Sequence, residues 1–263
     1  MSRRSPGTPL IFLYHSITPY DEDPFQVTIH PRRLREQLGW LRRRRLRGTS
    51  VGHVLAARAE GNSRGLVALT FDDGYADFVE YALPILAEYG FSATLFALSG
   101  RLGGWNAWDA GGPRKALMTA AQLREVAQAG IEIGSHGHGH IRLASAPREA
   151  LQEEVFGSRD TLRALTGQPV DGFCYPWGDV SAEVVEQVRA AGYGYACGVW
   201  HSTLPRPFAL HRTYLHDGDH SWRLDAKRMR HLATSTGRLR LLQPRPPAPS
   251  TPPDVGTPAG RPR

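Results

Sequence analysis

Seven short apolar runs recur along the chain, and amphipathic segments fill the gaps between them. This alternation constrains the fold more than any other feature. The runs cover residues 9–14, 66–71, 92–98, 131–135, 170–175, 193–199 and 208–213. Most are bounded by Gly, Pro or Asp. They are apolar without strict alternation, as strands buried on both faces are. Helical spacing predicts helices over 31–46, 76–89, 119–129, 147–166 and 181–191. Pro31 suits a first helical position and puts Leu34, Leu38 and Leu41 on one face. Thr119 suits an N-cap, and Ala129-Gly130 and Ala191-Gly192 suit helix C-caps. Strands alternating with helices give a parallel sheet covered by helices. Seven such units fit a small α/β barrel better than an open sheet, although periodicity alone does not decide between them.

Composition narrows the function classes. At 263 residues and 41% hydrophobic, the chain can bury a sizeable core. No stretch of about 18 apolar residues exists, so no membrane span is expected. The formal charge of +7 invites a nucleic-acid reading, but its distribution argues against one. Residues 227–263 hold eight basic side chains and one acid, which leaves 24 of each sign in residues 1–226. The middle, 49–226, carries 14 basic and 20 acidic residues and suits a cation site better than a phosphate surface. The run Arg42–Arg45 falls at the end of the first expected helix, where positive charge complements the dipole, and no interleaved aromatics support base stacking. We expect a single catalytic domain over 8–226. A basic, Pro-rich extension follows over 227–263, disordered from about 243. Two cysteines, Cys174 and Cys197, make no disulfide framework. Basic residues precede the apolar Leu10–Leu13, but four residues are too few for a signal peptide. A cytoplasmic location is the expectation; a longer native N-terminus would overturn it and open an extracellular one.

Two motifs carry chemistry. Thr70-Phe71-Asp72-Asp73-Gly74-Tyr75 follows the run 66–71 directly. Adjacent carboxylates at the end of a buried strand are costly unless a positive group compensates them. Asp-Asp-Gly alone is also a common turn. Gly134-Ser135-His136-Gly137-His138-Gly139-His140 follows the run 131–135. His136 and His140 are four apart, a separation that can bring two imidazoles to one metal, and the glycines let the backbone fold around an ion. By itself this segment reads equally well as a solvated His-rich loop. Both motifs lie just past strands, where barrel and open-sheet enzymes build their sites. One carboxylate and two imidazoles leave coordination open for water or substrate, and the second carboxylate is free to act as a base.

Thr-Phe-Asp-Asp-Gly with a later His-x-x-x-His resembles the signature of the polysaccharide deacetylases, carbohydrate esterases with a NodB-type catalytic domain. Tyr14-His15-Ser16, Phe71-Asp72-Asp73-Gly74-Tyr75-Ala76-Asp77, Ala82-Leu83-Pro84-Ile85-Leu86 and Gly130-Ile131-Glu132-Ile133-Gly134-Ser135-His136 are similar to its text. Phe173-Cys174-Tyr175-Pro176-Trp177-Gly178 resembles the branch written Phe-Ala-Tyr-Pro-Tyr-Gly. The resemblance covers residues 8–215 and implies a distorted (β/α)7 barrel. It implies Asp72 as general base and Asp73, His136 and His140 as ligands of a divalent metal, Zn first, with Co, Ni or Mn as alternatives. His138 falls at a variable position. The implied reaction is hydrolysis of an N-acetyl, sometimes O-acetyl, group on an amino-sugar polymer or glycoconjugate. A backbone N–H near Tyr175 would help stabilise the oxyanion.

This chain departs from the family text twice. Many members have Arg where this chain has Cys174, so another group must hold Asp72, and Arg212 is a candidate. Cys174 is a nucleophile or, more commonly for such a residue, a small buried hydrophobe. The last motif, usually Leu-x-His, reads Leu210-His211-Arg212. We take His211 as the acid, with His15 and His216 as alternatives. Neighbouring strand residues face opposite ways, so His211 and Arg212 cannot both face the site without a bulge. Substrate contacts are expected from Tyr175, Trp177, Trp105, Arg212 and His15. Trp105 and Trp108 could equally pin their own loop. The competing functions are a deacylase or other C–N hydrolase of small substrates, and a non-catalytic carbohydrate-binding relative. An iron oxygenase with the same ligands would leave Asp72 without a role. The expected partner is an acetylated amino sugar, with no nucleic acid; the sequence leaves oligomeric state open.

Overall fold

The computed structural model describes residues 8–199, 204 and 206–235. In chain order the elements are β1 (Ile11–Tyr14), β2 (Ser16–Ile17), β3 (Thr28–Ile29), α1 (Pro31–Arg43), β4 (Arg47–Thr49), α2 (Val51–Ala59), β5 (Leu66–Phe71), α3 (Leu83–Tyr89), β6 (Thr94–Ala97), α4 (Ala120–Gln128), β7 (Glu132–Ser135), α5 (Arg148–Leu151), α6 (Ser158–Thr166), β8 (Gly172–Cys174), α7 (Ala182–Ala190), β9 (Tyr195–Gly198), β10 (Leu210–His211), β11 (Thr213–Tyr214) and α8 (Ser221–Ser235). Two π-helical turns, Phe78–Ala82 and Gln152–Gly157, interrupt the expected helices 76–89 and 147–166.

The main sheet runs β10-β9-β8-β7-β6-β5-β1-β11, with β4 beside the first half of β5, and every pairing is parallel. Its two ends, β10 and β11, are separated by Arg212 alone. Leu210 and His211 pair with β9, and Thr213 and Tyr214 lie beside β1. One strand, broken at Arg212, therefore closes the sheet into a distorted (β/α)7 barrel. The narrow interior holds Ile11, Ala68, Phe96, Cys174, Tyr195, Cys197 and Leu210, and Val51 and Val54 of α2 plug its amino end. Gly172 makes room there, since a Cβ would lie 2.4 Å from the Tyr195 hydroxyl. The larger cluster, including Phe12, Leu69, Leu95, Ile133, Phe173 and Ala196, packs between sheet and helices.

Helix ends follow local chemistry. Thr119 and Gln122 form a reciprocal capping box on α4, as expected of Thr119. Gly130 and Gly192, at φ +84° and +81°, lead out of α4 and α7. Helix α1 stops three residues before its expected end; Arg45 turns left-handed at φ 55°, and Arg47–Thr49 joins the sheet instead. The expected boundary at 226/227 falls inside α8, whose His231 Nε2 lies 3.0 Å from Thr8 O. The Pro-rich segment 243–263 lies outside the described residues. No helix among the described residues is long and apolar enough to cross a membrane.

Candidate active site

The carboxyl ends of β1, β5, β7, β8 and the β10–β11 strand converge on a cavity of about 290 Å³. His15, Asp72, Asp73, His136, His140, Tyr175, Trp177 and Arg212 line it, joined by Phe25, Val27, Trp108, Asp109, Gly178, Val199 and Tyr214. The two sequence motifs meet here because β5 and β7 flank β6 and end at the same level of the barrel.

The adjacent carboxylates have opposite surroundings. Asp72 is tied at both oxygens, Oδ1 accepting from Arg212 Nη1 at 2.7 Å and Oδ2 from Nη2 at 2.8 Å. Arg212 also donates to Thr70 Oγ1 and Gly198 O, and Nη2 lies 3.0 Å from Cys174 Sγ. A buried guanidinium in a bidentate pair holds planar geometry as well as charge. Burial pushes the Asp72 carboxyl up, but the Arg212 charge outweighs it and the net position is below the ordinary carboxylate value. Asp73, turned by its left-handed φ of 70°, presents Oδ1 to His136 Nε2 at 3.2 Å and to His140 Nε2 at 3.4 Å. That oxygen is buried and accepts no hydrogen bond. Burial raises the Asp73 carboxyl, and the two facing imidazoles pull it well below its ordinary value.

His136 Nδ1 lies 2.8 Å from Cys174 O. A carbonyl only accepts, so Nδ1 carries a proton, and in the neutral ring that a metal ligand must be this leaves the Nε2 lone pair facing Asp73. His140 is set by a left-handed φ of 63°, stacking with Trp108 at 4.3 Å between ring centroids and an edge contact with Trp177 at 4.9 Å. Among the described residues five non-glycines have positive φ, and Asp73, His140 and Trp177 are three of them. Such strained backbone concentrates at functional sites. The donor atoms of Asp73, His136 and His140 all lie within 4.8 Å of one another. One orphaned carboxylate oxygen facing two oriented imidazoles is a donor set that fits a divalent ion of the zinc type. Asp72 lies within the same distance of His136 and Cys174 only, and both its oxygens are engaged by Arg212.

The remaining expected residues separate. Arg212 and Tyr214 face the cavity, whereas His211, between them and Leu210, does not line it; its Nδ1 lies 2.9 Å from Val199 O. His15 lines the cavity with its Nδ1 buried and without a hydrogen-bond partner, and burial lowers its imidazole below the ordinary 6.5. Tyr175 is a cavity wall, but its N–H is donated to Cys197 O within the sheet and is spent. Trp105 lies outside the lining, with Arg114 at 4.5 Å over its ring; Trp108 of the same loop takes the place expected for it. Burial raises the Cys174 thiol, which favours the buried-hydrophobe reading over the nucleophile. Phe25, Val27, Asp109, Val199 and Tyr214 escaped the sequence reading. They reach the cavity from loops and the split strand, with no spacing to mark them.

The sequence model of the family described as polysaccharide deacetylase matches residues 59–196. YxkH of Bacillus subtilis (strain 168), whose name places it among polysaccharide deacetylases, is 30% identical over 159 residues, 59% of this chain and 53% of that protein. The poly-beta-1,6-N-acetyl-D-glucosamine N-deacetylase of Escherichia coli (strain K12) is 23% identical over 219 residues, 68% of this chain and 32% of that protein. The chain thus spans about half the length of the first relative and a third of the second. The structure of Streptococcus pyogenes deacetylase PplD in complex with acetate superposes with a TM-score of 0.72 at 22% identity, covering 85% of this chain and 99% of that one.

Proposed function

The chain belongs to the polysaccharide deacetylase family, and on that premise we propose that it is a metal-dependent hydrolase removing N-acetyl groups from an amino-sugar polysaccharide or glycoconjugate. One observation carries the reading. Asp73 Oδ1 is orphaned between two imidazoles, beside a second carboxylate held ionised by Arg212. The name of the Escherichia coli relative, an N-acetylglucosamine polymer deacetylase, supports the substrate class.

Asp73, His136 and His140 would hold the ion. A divalent ion there supplies a Lewis acid for the amide carbonyl and lowers the pKa of a water molecule. Asp72 accepts the proton of the attacking water. Oδ1 keeps a second lone pair for that task while Arg212 occupies the first; on Oδ2 the Cys174 thiol, 3.4 Å away, takes the second. Arg212 fixes the carboxylate plane and disfavours its resting protonation. Among the lining imidazoles, His15 is the one outside the ligand pair, so we assign it the acid role in place of His211. Burial favours its neutral ring, so in this role His15 takes up a proton during the reaction and passes it to the departing amine. Trp108, Trp177 and Tyr175 form the apolar walls against which the acetyl methyl and a sugar face would lie.

Acetate release from N-acetylhexosamine oligomers, with added Zn, Co or Mn and a chelator control, tests this. Metal-dependent release abolished by chelator is expected. Release that survives exhaustive chelation would overturn the metal reading.

A further inference from the structure

The glycines of Gly137-His138-Gly139 lie between the two expected metal ligands, and the loop they form does close around an ion, but the ion is an anion of the chain itself. Glu154 projects from the π-helical turn Gln152–Gly157 and is buried, 4% exposed. Its Oε2 accepts the N–H of His138 at 2.7 Å and its Oε1 the N–H of Gly139 at 2.8 Å. No Arg, Lys or His among the described residues forms an ion pair with it. Both glycines are shaped to this carboxylate. A Cβ on Gly137, at φ +86°, would lie 2.5 Å from Oε2, and one on Gly139 2.9 Å from Oε1.

The rest of the loop backbone is tied to match. Gly137 N donates to Ser135 Oγ at 3.0 Å, and Gly137 O and His138 O accept from Ser99 N and Gly100 N. Ser158 Oγ joins Ser135 Oγ at 2.8 Å and donates to Glu154 O at 2.6 Å, which couples the π turn to the loop. The anchored residues 138 and 139 sit between His136 and His140, so their position sets the approach of both Nε2 atoms to Asp73. A buried carboxylate held only by backbone amides is stable while both are donated to it, and it withdraws those donors from any other arrangement of the loop. π turns occur often at functional sites, where the extra residue re-aims a side chain.

We infer that Glu154 is a positioning residue for the metal site, locking the His136–His140 loop in the geometry that aims both imidazoles at Asp73. The inference rests on the metal reading above. Groups behind metal ligands commonly contribute 10- to 100-fold in metal affinity.

The test compares full-length wild type with Glu154→Gln after metal stripping, measuring the Zn dissociation constant by chelator competition and the melting temperature with and without Zn. Gln keeps one acceptor and turns an amino group toward a backbone N–H. We expect a Zn dissociation constant raised 10- to 100-fold and a smaller Zn-induced rise in melting temperature. A Zn dissociation constant within about twofold of wild type, whatever the loss of stability, overturns the inference, because a merely structural role lowers both melting temperatures together. If Glu154→Gln does not fold, Gly139→Ala, which presses on Oε1 from the loop side, gives the same readout with the same two outcomes. Wild type that binds no Zn, Co or Mn would instead sink the metal reading itself.

Discussion

The two ends of the barrel both hold carboxylates, half-buried Glu132 at one and buried Asp72 and Asp73 at the other, and treat them in opposite ways. At the amino end, Glu132 accepts from the Tyr195 hydroxyl at 2.7 Å, the Thr94 hydroxyl at 3.0 Å and the Gly52 N–H at 3.0 Å. Thr94 Oγ1 in turn accepts from Val51 N, so the network closes on the start of α2. Its donors are neutral and its polar atoms are matched. At the carboxyl end, Asp72 is held by a guanidinium, while Asp73 Oδ1, His15 Nδ1 and His140 Nδ1 are buried with no partner among the described residues. A matched network stabilises a fold; unmatched buried donors and acceptors cost free energy unless a ligand completes them. The same barrel thus places its stability at one end and its chemistry at the other.

Substitutions at the two ends should separate these roles. The largest effect belongs to Asp72→Asn, which removes the base and leaves Asp73, His136 and His140 in place. We expect kcat/KM to fall by 10²- to 10⁴-fold with Zn binding retained; turnover near wild type would refute the base assignment. Arg212→Lys comes next. Arg212 lowers the Asp72 carboxyl, and a lysine loses the bidentate fork. The acid limb of the kcat/KM profile should move to higher pH by about one unit, within the range an adjacent Arg exerts on a carboxyl. An unmoved limb would show that Arg212 orients nothing that titrates in the reaction. Glu132→Gln should do the reverse. It leaves an amide nitrogen against donor groups at the plugged end and should cost about 1–3 kcal/mol of stability by denaturant titration. Its kcat and KM should match wild type, and a lost kcat would erase the contrast between the ends.

How far the sequence foretold this depends on what kind of contact defines each residue. The strands were legible because a parallel barrel buries both faces, so β1, β5 and β6 read as continuous apolar text. The carboxylates and imidazoles were legible because each sits immediately after such a strand. Strand β4 and helix α2 were not, since Arg47–Thr49 is too short and polar to stand out, and α2 directly follows it. The replacement of the family's Arg by Cys174 pointed to Arg212, and the alternation rule correctly allowed only one of His211 and Arg212 to face inward. Nothing local marked Phe25, Asp109 or Tyr214, whose roles exist only through tertiary proximity. Glu154 left one trace, the paired glycines at 137 and 139, and that trace was ambiguous about which ion the loop encloses.

Asp77, past the same strand as Asp72, sharpens the contrast by lacking a guanidinium. It accepts from the Ser16 hydroxyl at 2.5 Å and from Ile17 N at 3.1 Å, with Lys115 Nζ one hydroxyl away at 3.0 Å from Ser16 Oγ. Burial dominates and pushes its carboxyl from 3.8 to about 6. A carboxyl raised on folding favours the folded state most when protonated. Its contribution is therefore full below pH 3.8 and is lost as pH rises through about 6. Asp72, lowered on folding, contributes with the opposite sign, stabilising above the ordinary carboxylate value and losing that as pH falls. Asp77→Asn holds the side chain neutral at every pH and keeps an acceptor for Ile17 N. Relative to wild type, its melting temperature should gain as pH rises from 4 to 7, the window that the shift from 3.8 to about 6 defines. Parallel melting curves for the two proteins across that window would mean that Asp77 ionises in the folded chain as freely as in the unfolded one, and that Lys115 offsets the burial.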